Sequence, residues 1–367
     1  MTTWLARLWT WLIGTPGSPK KALPPAPAEQ LPTPVFISEP SAWEVPEPES
    51  LGGTFDLVPW QRGHNAPTAE PRALRRHLLD SLQEMEQERL GFADRAFVAK
   101  IQGALARQGM DMPPFPDTVL RLRKLLHAKQ VDAHRVADLV RRDPALAKQI
   151  WRKASGVAFG RPPSDLRQAI VRLGNQQLWR IAVRMAVHDR LFQVKGYGEQ
   201  VEELRMHSSV VADVAGWMLG EGQEQGTAWL AGLLHDSGKL FLYRCAGQLR
   251  EQPSPQILQR IMDKHHAALG SLVVTSWKLG ETEAQAVAFH HGVDGAQSGG
   301  KRFAQYLHWA DIVAHTVVLR ERGIPCPGDS MLRRVQRRGF AVHDAMHVAE
   351  ESLRTHRSTA APLRKAA

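Results

Sequence analysis

From Arg72 onward, apolar positions recur at helical spacing, and no stretch alternates apolar and polar residues as a half-buried strand would. ALRRHLLDSLQEMEQERL and ADRAFVAKIQGALARQG read as leading helices, the second with a glycine stop at Gly109. Pro113, Pro114 and Pro116 end that helix and introduce one carrying Val119, Leu122, Leu125 and Leu126. Asp132 is placed to cap AHRVADLVRR. Asp143 caps the next helix with Pro144 at its first position, where a missing N–H does no harm. Ser164 or Asp165 starts LRQAIVRLG, Gly174 reads as the glycine that follows it, and Asn175 begins another helix through Leu178, Ile181 and Met185.

The second half of the pattern starts with EQVEELRMHSSVVADVAGWML, whose apolar face carries Val201, Leu204, Val211, Val214 and Met218. WLAGLLHDSGKL follows, an apolar helix that ends in His235 and Asp236. Ser254 and Pro255 start a helix leading to Lys264, His265 and His266, and ALGSLVVTSWKL reads as another helix beginning just after His266. Glu281 or Thr282 starts the segment that delivers His290 and His291, and FAQYLHWADIVAHTVV puts Asp311 on a face with His308 and His315. MLRRVQRRGF and AVHDAMHVAEESLRTH read as two basic helices that close or cap the bundle; His343 and His347 share a face there and read as a surface pair. The expected fold is all-α. Leading helices over 72–112 precede a domain at 113–320 made of two packed sub-bundles, 113–195 and 196–320, and C-terminal helices over 321–356 end in a frayed tail at 357–367.

Composition changes this picture at the N-terminus. Residues 15–71 turn to Pro, Glu, Ala and Gly, a mixture that favours extended segments and builds no core, so a disordered linker is expected there, with Trp43, Phe55 and Trp60 as short docking points or exposed residues. Residues 1–14, MTTWLARLWTWLIG, place tryptophans and leucines near one side of a helix. They fit a peripheral membrane contact or a helix that docks on protein, and they fit a signal peptide poorly because Arg7 interrupts the apolar run. No apolar run reaches the roughly 18 residues of a membrane span. Two cysteines, Cys245 and Cys326, build no disulfide framework and no thiolate site, which points to a reducing, cytoplasmic setting. The net charge of +10 and pI near 9.9 permit attraction to phosphorylated small molecules, anionic lipid or nucleic acid. Without interleaved aromatics or a helix-turn-helix pattern there is no strong nucleic-acid signal.

The candidate chemistry lies in the second half. Neither a G-x-G-x-x-G nor a P-loop occurs in the first, and no organic cofactor is expected. His207, taken alone, reads as a half-buried histidine with a local hydrogen bond. Its series continues through His235, Asp236, His266, His290, His291 and Asp311, each near a helix end or on one helical face. Imidazole and carboxylate without thiolate suit Fe, Mn, Zn or similar divalent ions, one or two of them. Two ions about 3.5–4 Å apart would clamp a phosphate ester and lower the pKa of a bridging water toward about 7. In that design Asp236 bridges, the others are terminal ligands, and Lys239 holds the substrate phosphate or pairs with Asp236.

VRRDPALAKQIWRKASGVAFGRPPSDLRQAIVRLG resembles the first part of the HDOD family, a bacterial branch related to the HD superfamily of metal-dependent phosphohydrolases. GLLHDSGKL, HAALG followed by W-K-L, and the His290–His291 pair extend the resemblance over roughly 113–318. The resemblance implies a signal-transduction or regulatory module acting through protein partners, many HDOD proteins having lost metal ligands. Here the matching positions are filled, which implies, as the alternative, an active phosphodiesterase or nucleotide phosphatase. The cyclic-di-GMP phosphodiesterases of the superfamily follow their histidine pair with a DGxGYP-like loop. This chain has GVDGAQSGGKRF and no GYP, which weakens that substrate in particular.

Overall fold

The computed structural model describes residues 64–107, 110–126, 128, 130–156, 160–191, 194–220, 222–292, 298–321, 332, 336 and 341–360. The expectations for residues 1–63, for Gly109, for Cys326, for most of MLRRVQRRGF and for the last residues of the tail lie outside them. Among the described residues every regular element is helical. They are α1 (Pro71–Glu86), α2 (Phe92–Ala106), α3 (Asp117–Leu126), α4 (Ala133–Arg141), α5 (Pro144–Ala154), α6 (Leu166–Leu191), α7 (Gly198–Met218), α8 (Gln223–Leu234), α9 (Ser237–Gly247), α10 (Pro255–Ser276), α11 (Glu281–Ala288), α12 (Ser298–Glu321) and α13 (Val342–Ala360). None of the described helices is long and apolar enough to cross a membrane.

Side-chain caps set several of these starts. Asp132 accepts from the N–H groups of His134 and Arg135, and Asp143 from that of Leu146, with Pro144 opening the helix behind it. Ser254 caps α10 and is itself gripped by Asp94 of α2 at 2.7 and 3.0 Å, which anchors the start of α10 to the leading helices. Such caps are worth about 1 kcal/mol each. Gly174, at φ 71° and ψ 168°, breaks α6 where glycine tolerates the left-handed region.

Three expectations need correction. The linker was expected to run to residue 71, but residues 64–70 are tied to the helices at single points. Ala66 is buried and donates to the carbonyl of Ala288, while Glu70 caps α1. The helix expected to begin anew after His266 is the continuation of α10, because Ala267, Ala268 and Leu269 are strong helix formers. The tail expected from residue 357 is helical as far as Ala360.

The first half packs α3 to α6 around Val119, Leu122, Val136, Val140, Ile150 and Leu178, all buried. The second half winds α7 to α12 together, α7 lying against α8, α12 and α13, and α10 against α9 and α11. Arg123 of α3 joins the halves by an ion pair with the buried Glu283 at 2.5 Å, and Trp277 donates to the carbonyl of Pro113 at 3.0 Å. Asp213 of α7 takes Arg184 at 2.8 Å, the Trp229 indole N–H at 3.0 Å and Ser352 at 2.8 Å, tying α6, α8 and α13 to one carboxylate. α9 crosses α10 closely. A Cβ on Gly238 would lie 1.9 Å from the His266 carbonyl oxygen and 2.8 Å from the Gly270 nitrogen. Only glycine lets the backbone that carries Asp236 come so near the backbone that carries His266.

Candidate metal centre

His235 closes α8 and Asp236 opens α9, so the two side chains leave the chain between two helices that diverge from one point. Around them α7 supplies His207, α10 His266, the turn after α11 His290 and His291, and α12 Asp311 and His315. Every ligand position expected from the sequence therefore reaches one cluster. Three groups within it are compact enough to share an ion: His266, His290 and His291; His207, His235 and Asp236; and His207, Asp311 and His315.

The hydrogen bonds fix the tautomers. His235 donates its Nδ1 proton to the Gly232 carbonyl at 2.8 Å, His266 to Met262 at 2.6 Å and His290 to Val287 at 2.7 Å. A carbonyl oxygen can only accept, so in the neutral rings Nε2 carries the lone pair, and Nε2 is the atom aimed into the cluster. His207 Nε2 lies 2.9 Å and His315 Nε2 3.3 Å from Asp311 Oδ1. His235 Nε2 lies 3.3 Å from Asp236 Oδ2, and His266 Nε2 lies 3.5 Å from Asp236 Oδ1. The Nε2 atoms of His266 and His291 face each other at 2.7 Å. Lys239 donates to Asp236 Oδ2 at 2.8 Å, so it pairs with the carboxylate, one of the two roles its position allowed.

Burial and charge prepare these groups as ligands. Burial pushes His290 down to about 4, His315 down to about 3, and His266 and His291 well below the ordinary imidazole value. These four rings are neutral at pH 7. Burial works against the carboxylate of Asp236, but His235 and Lys239 outweigh it and hold the group well below the usual range. Asp311 is lowered in the same way, against its burial, by His315 and His207. For His235 burial disfavours the charged ring, and Asp236 and Asp311 overcome that and raise it. Neutral rings at His266, His290, His291 and His315 beside ionised carboxylates are the protonation state that a divalent cation needs, and a cation would displace the proton that the carboxylates favour on His235.

The fit of a cation rests on atoms left without a partner. His207 Nε2, His235 Nε2, Asp236 Oδ1, His291 Nδ1 and Asp311 Oδ1 are buried and make no aligned hydrogen bond, although His207 and Asp311 are close. An unpaired buried polar atom costs about 1–3 kcal/mol, more when charged, and those of His207, His235, Asp236 and Asp311 collect at one place. Donor atoms about 2.1 Å from a tetrahedral ion lie about 3.4 Å from one another, and the separations here run from 2.7 to 4.0 Å. The donor set fits divalent ions.

His315 was placed on the Asp311 face by the sequence but was not counted as a ligand; its i, i+4 spacing from Asp311 was the available signal. His308 turns away, bonding the His290 carbonyl at 3.0 Å. His265, next to His266, points to Ser81 of α1 at 3.1 Å. The open side of the cluster is marked by His207, His315 and Lys239, whose side chains are 12%, 16% and 23% exposed. His235, Asp236, His266, His290 and Asp311 behind them are at most 3% exposed, and His291 is half-buried.

The HDOD domain family matches residues 112–293, which takes in the first helical half and the histidine pair. The chain carries an HDOD domain. Solved HDOD structures share the helical fold. An HDOD domain protein of unknown function from Geobacter sulfurreducens is 22% identical with a TM-score of 0.52, over 74% of this chain and 93% of its own. A candidate metal-dependent phosphohydrolase from Shewanella amazonensis SB2B is 20% identical with a TM-score of 0.51, over 71% of this chain and 99% of its own. A candidate signal transduction protein from Marinobacter aquaeolei VT8 is 19% identical with a TM-score of 0.50, over 74% of this chain and 66% of its own. A comparison with curated proteins returns no match. Asp311 and His315 follow the end of the HDOD match, so helix α12 adds ligand positions from beyond it.

Proposed function

We propose that this chain is a metal-binding regulatory module, an HDOD domain that relays a signal through protein partners in a state set by bound divalent cations. The observation that carries the reading is the set of buried donor atoms on His207, His235, Asp236 and Asp311 that make no aligned hydrogen bond and lie within about 4 Å of a neighbour in the same set of residues. The imidazoles and Lys239 offset part of the cost of burying the two carboxylates, and a cation would take up the donor atoms they leave unpaired. His266, His290 and His291 form one group of ligands, while His207, Asp311 and His315 form another, with Asp236 between them. Elemental analysis of protein purified without added metal tests this. About one equivalent or more of a transition metal is expected, and less than roughly a tenth would sink the reading.

The second reading is hydrolysis of a phosphate ester, favoured by Lys239 standing beside Asp236 on the open side of the cluster. Bound there, a divalent pair would supply charge to a phosphate and lower a water's pKa toward about 7. Lys239 would hold the phosphate oxygens, and Asp236 would orient the water. In this reading the metal-loaded protein turns over bis-p-nitrophenyl phosphate or a nucleotide, and Asp236→Asn lowers the rate by about 100-fold or more. Equal turnover in that variant marks a contaminant and leaves the regulatory reading alone.

A further inference from the structure

Residues 64–66 belong to the stretch whose composition promised only a linker, and they precede the HDOD match by more than forty residues. They nevertheless close on the turn that carries His290 and His291. The side chain of Asn65 accepts from the backbone N–H of His291 and donates to the carbonyl of Gly292, both at 3.0 Å. Ala66 donates its N–H to the Ala288 carbonyl at 2.8 Å, satisfying one of the orphan acceptors at the end of α11. His64 donates to the Asp263 carbonyl of α10 at 3.1 Å, three residues before His266. One short segment thus grips both elements that supply the group His266, His290 and His291, and it leaves the group on α7 and α12 untouched.

We infer that Asn65 is a positioning residue for the metal group formed by His266, His290 and His291, so that the N-terminal segment governs loading of that group. The inference rests on the metal-binding reading. Asn65 touches no donor atom; it fixes the backbone of His291 on one side and of Gly292 on the other, and with it the direction in which the His291 ring leaves the chain. A primary amide does this with one acceptor and one donor at a single position. Alanine has neither.

The test uses the full chain, stripped of metal and titrated with Co²⁺, with bound ion followed by visible ligand-field bands and by equilibrium dialysis. His291→Ala identifies which binding step belongs to the three-histidine group. In Asn65→Ala that same step weakens by about 10- to 100-fold, the range for groups that orient a ligand from behind. The other step stays as in the wild type, while the metal-free unfolding midpoint falls because two hydrogen bonds of the turn are lost. Ala66→Pro removes the N–H that bonds the Ala288 carbonyl and also restricts the backbone of Asn65 before it, so it weakens the same step too. Unchanged binding in Asn65→Ala, or equal weakening of both steps, overturns the inference while the metal-binding reading stands. A wild-type chain that takes up no Co²⁺ overturns the metal-binding reading itself, and the inference falls with it.

Discussion

Between residues 113 and 195 every buried side chain among the described residues is apolar or aromatic, whereas between 196 and 320 the interior takes in His235, Asp236, His266, Glu283, His290 and Asp311. The two halves are built from the same kind of element, joined by loops of similar kind, and stabilised differently. The first is held by area removed from water, worth about 25 cal/mol per Å². The second gives up part of that gain to keep ionisable groups dry. A buried apolar residue of the first half therefore acts first on stability. In the second half, stability and ligand geometry are carried by the same contacts.

The largest effect comes from the first half. Ile150 is fully buried, and Ile150→Ala lowers unfolding free energy by about 2–5 kcal/mol. Denaturant unfolding reads this loss while the metal content of the folded fraction stays at the wild-type value. A change in metal content would break the contrast between the halves. Gly238→Ala comes next, at about 1–3 kcal/mol or somewhat more. Its Cβ meets backbone on α10, so the crossing opens and Asp236 parts from His266. Here stability and metal are lost together, and a variant that loses stability yet keeps its metal would show the two functions of the second half to be separable. The smallest effect is outside both halves. His343 and His347 are exposed on α13, and replacing either with Ala shifts stability by less than about 0.5 kcal/mol and leaves metal content unchanged.

Local signals were legible in the sequence. The caps Asp132, Asp143 and Ser254 act through bonds to residues two or three positions ahead, so type and spacing are enough to find them. The ordered series from His207 to Asp311 was visible because each member sits near a helix end or on a helix face with a known period. What stayed hidden depends on partners far along the chain. Asn65 meets His291 across 226 positions, and nothing in the composition around Asn65 announces it. Asp213 likewise finds Ser352 across 139 positions. The helix through His266 was divided too early because a histidine pair followed by small residues resembles a boundary. His315 was passed over because an imidazole one turn from a carboxylate is as often a surface pair as a ligand.

The clip at Asn65 also sets an order in time. Its partners at 263, 288, 291 and 292 are made long after it, so on the ribosome residues 64–66 wait while the intervening helices emerge and pack. Contacts of such separation pay their loop-closure entropy late. The first described residues to be synthesised are thus among the last to find their place, and the clip closes only on a histidine turn that has already been made.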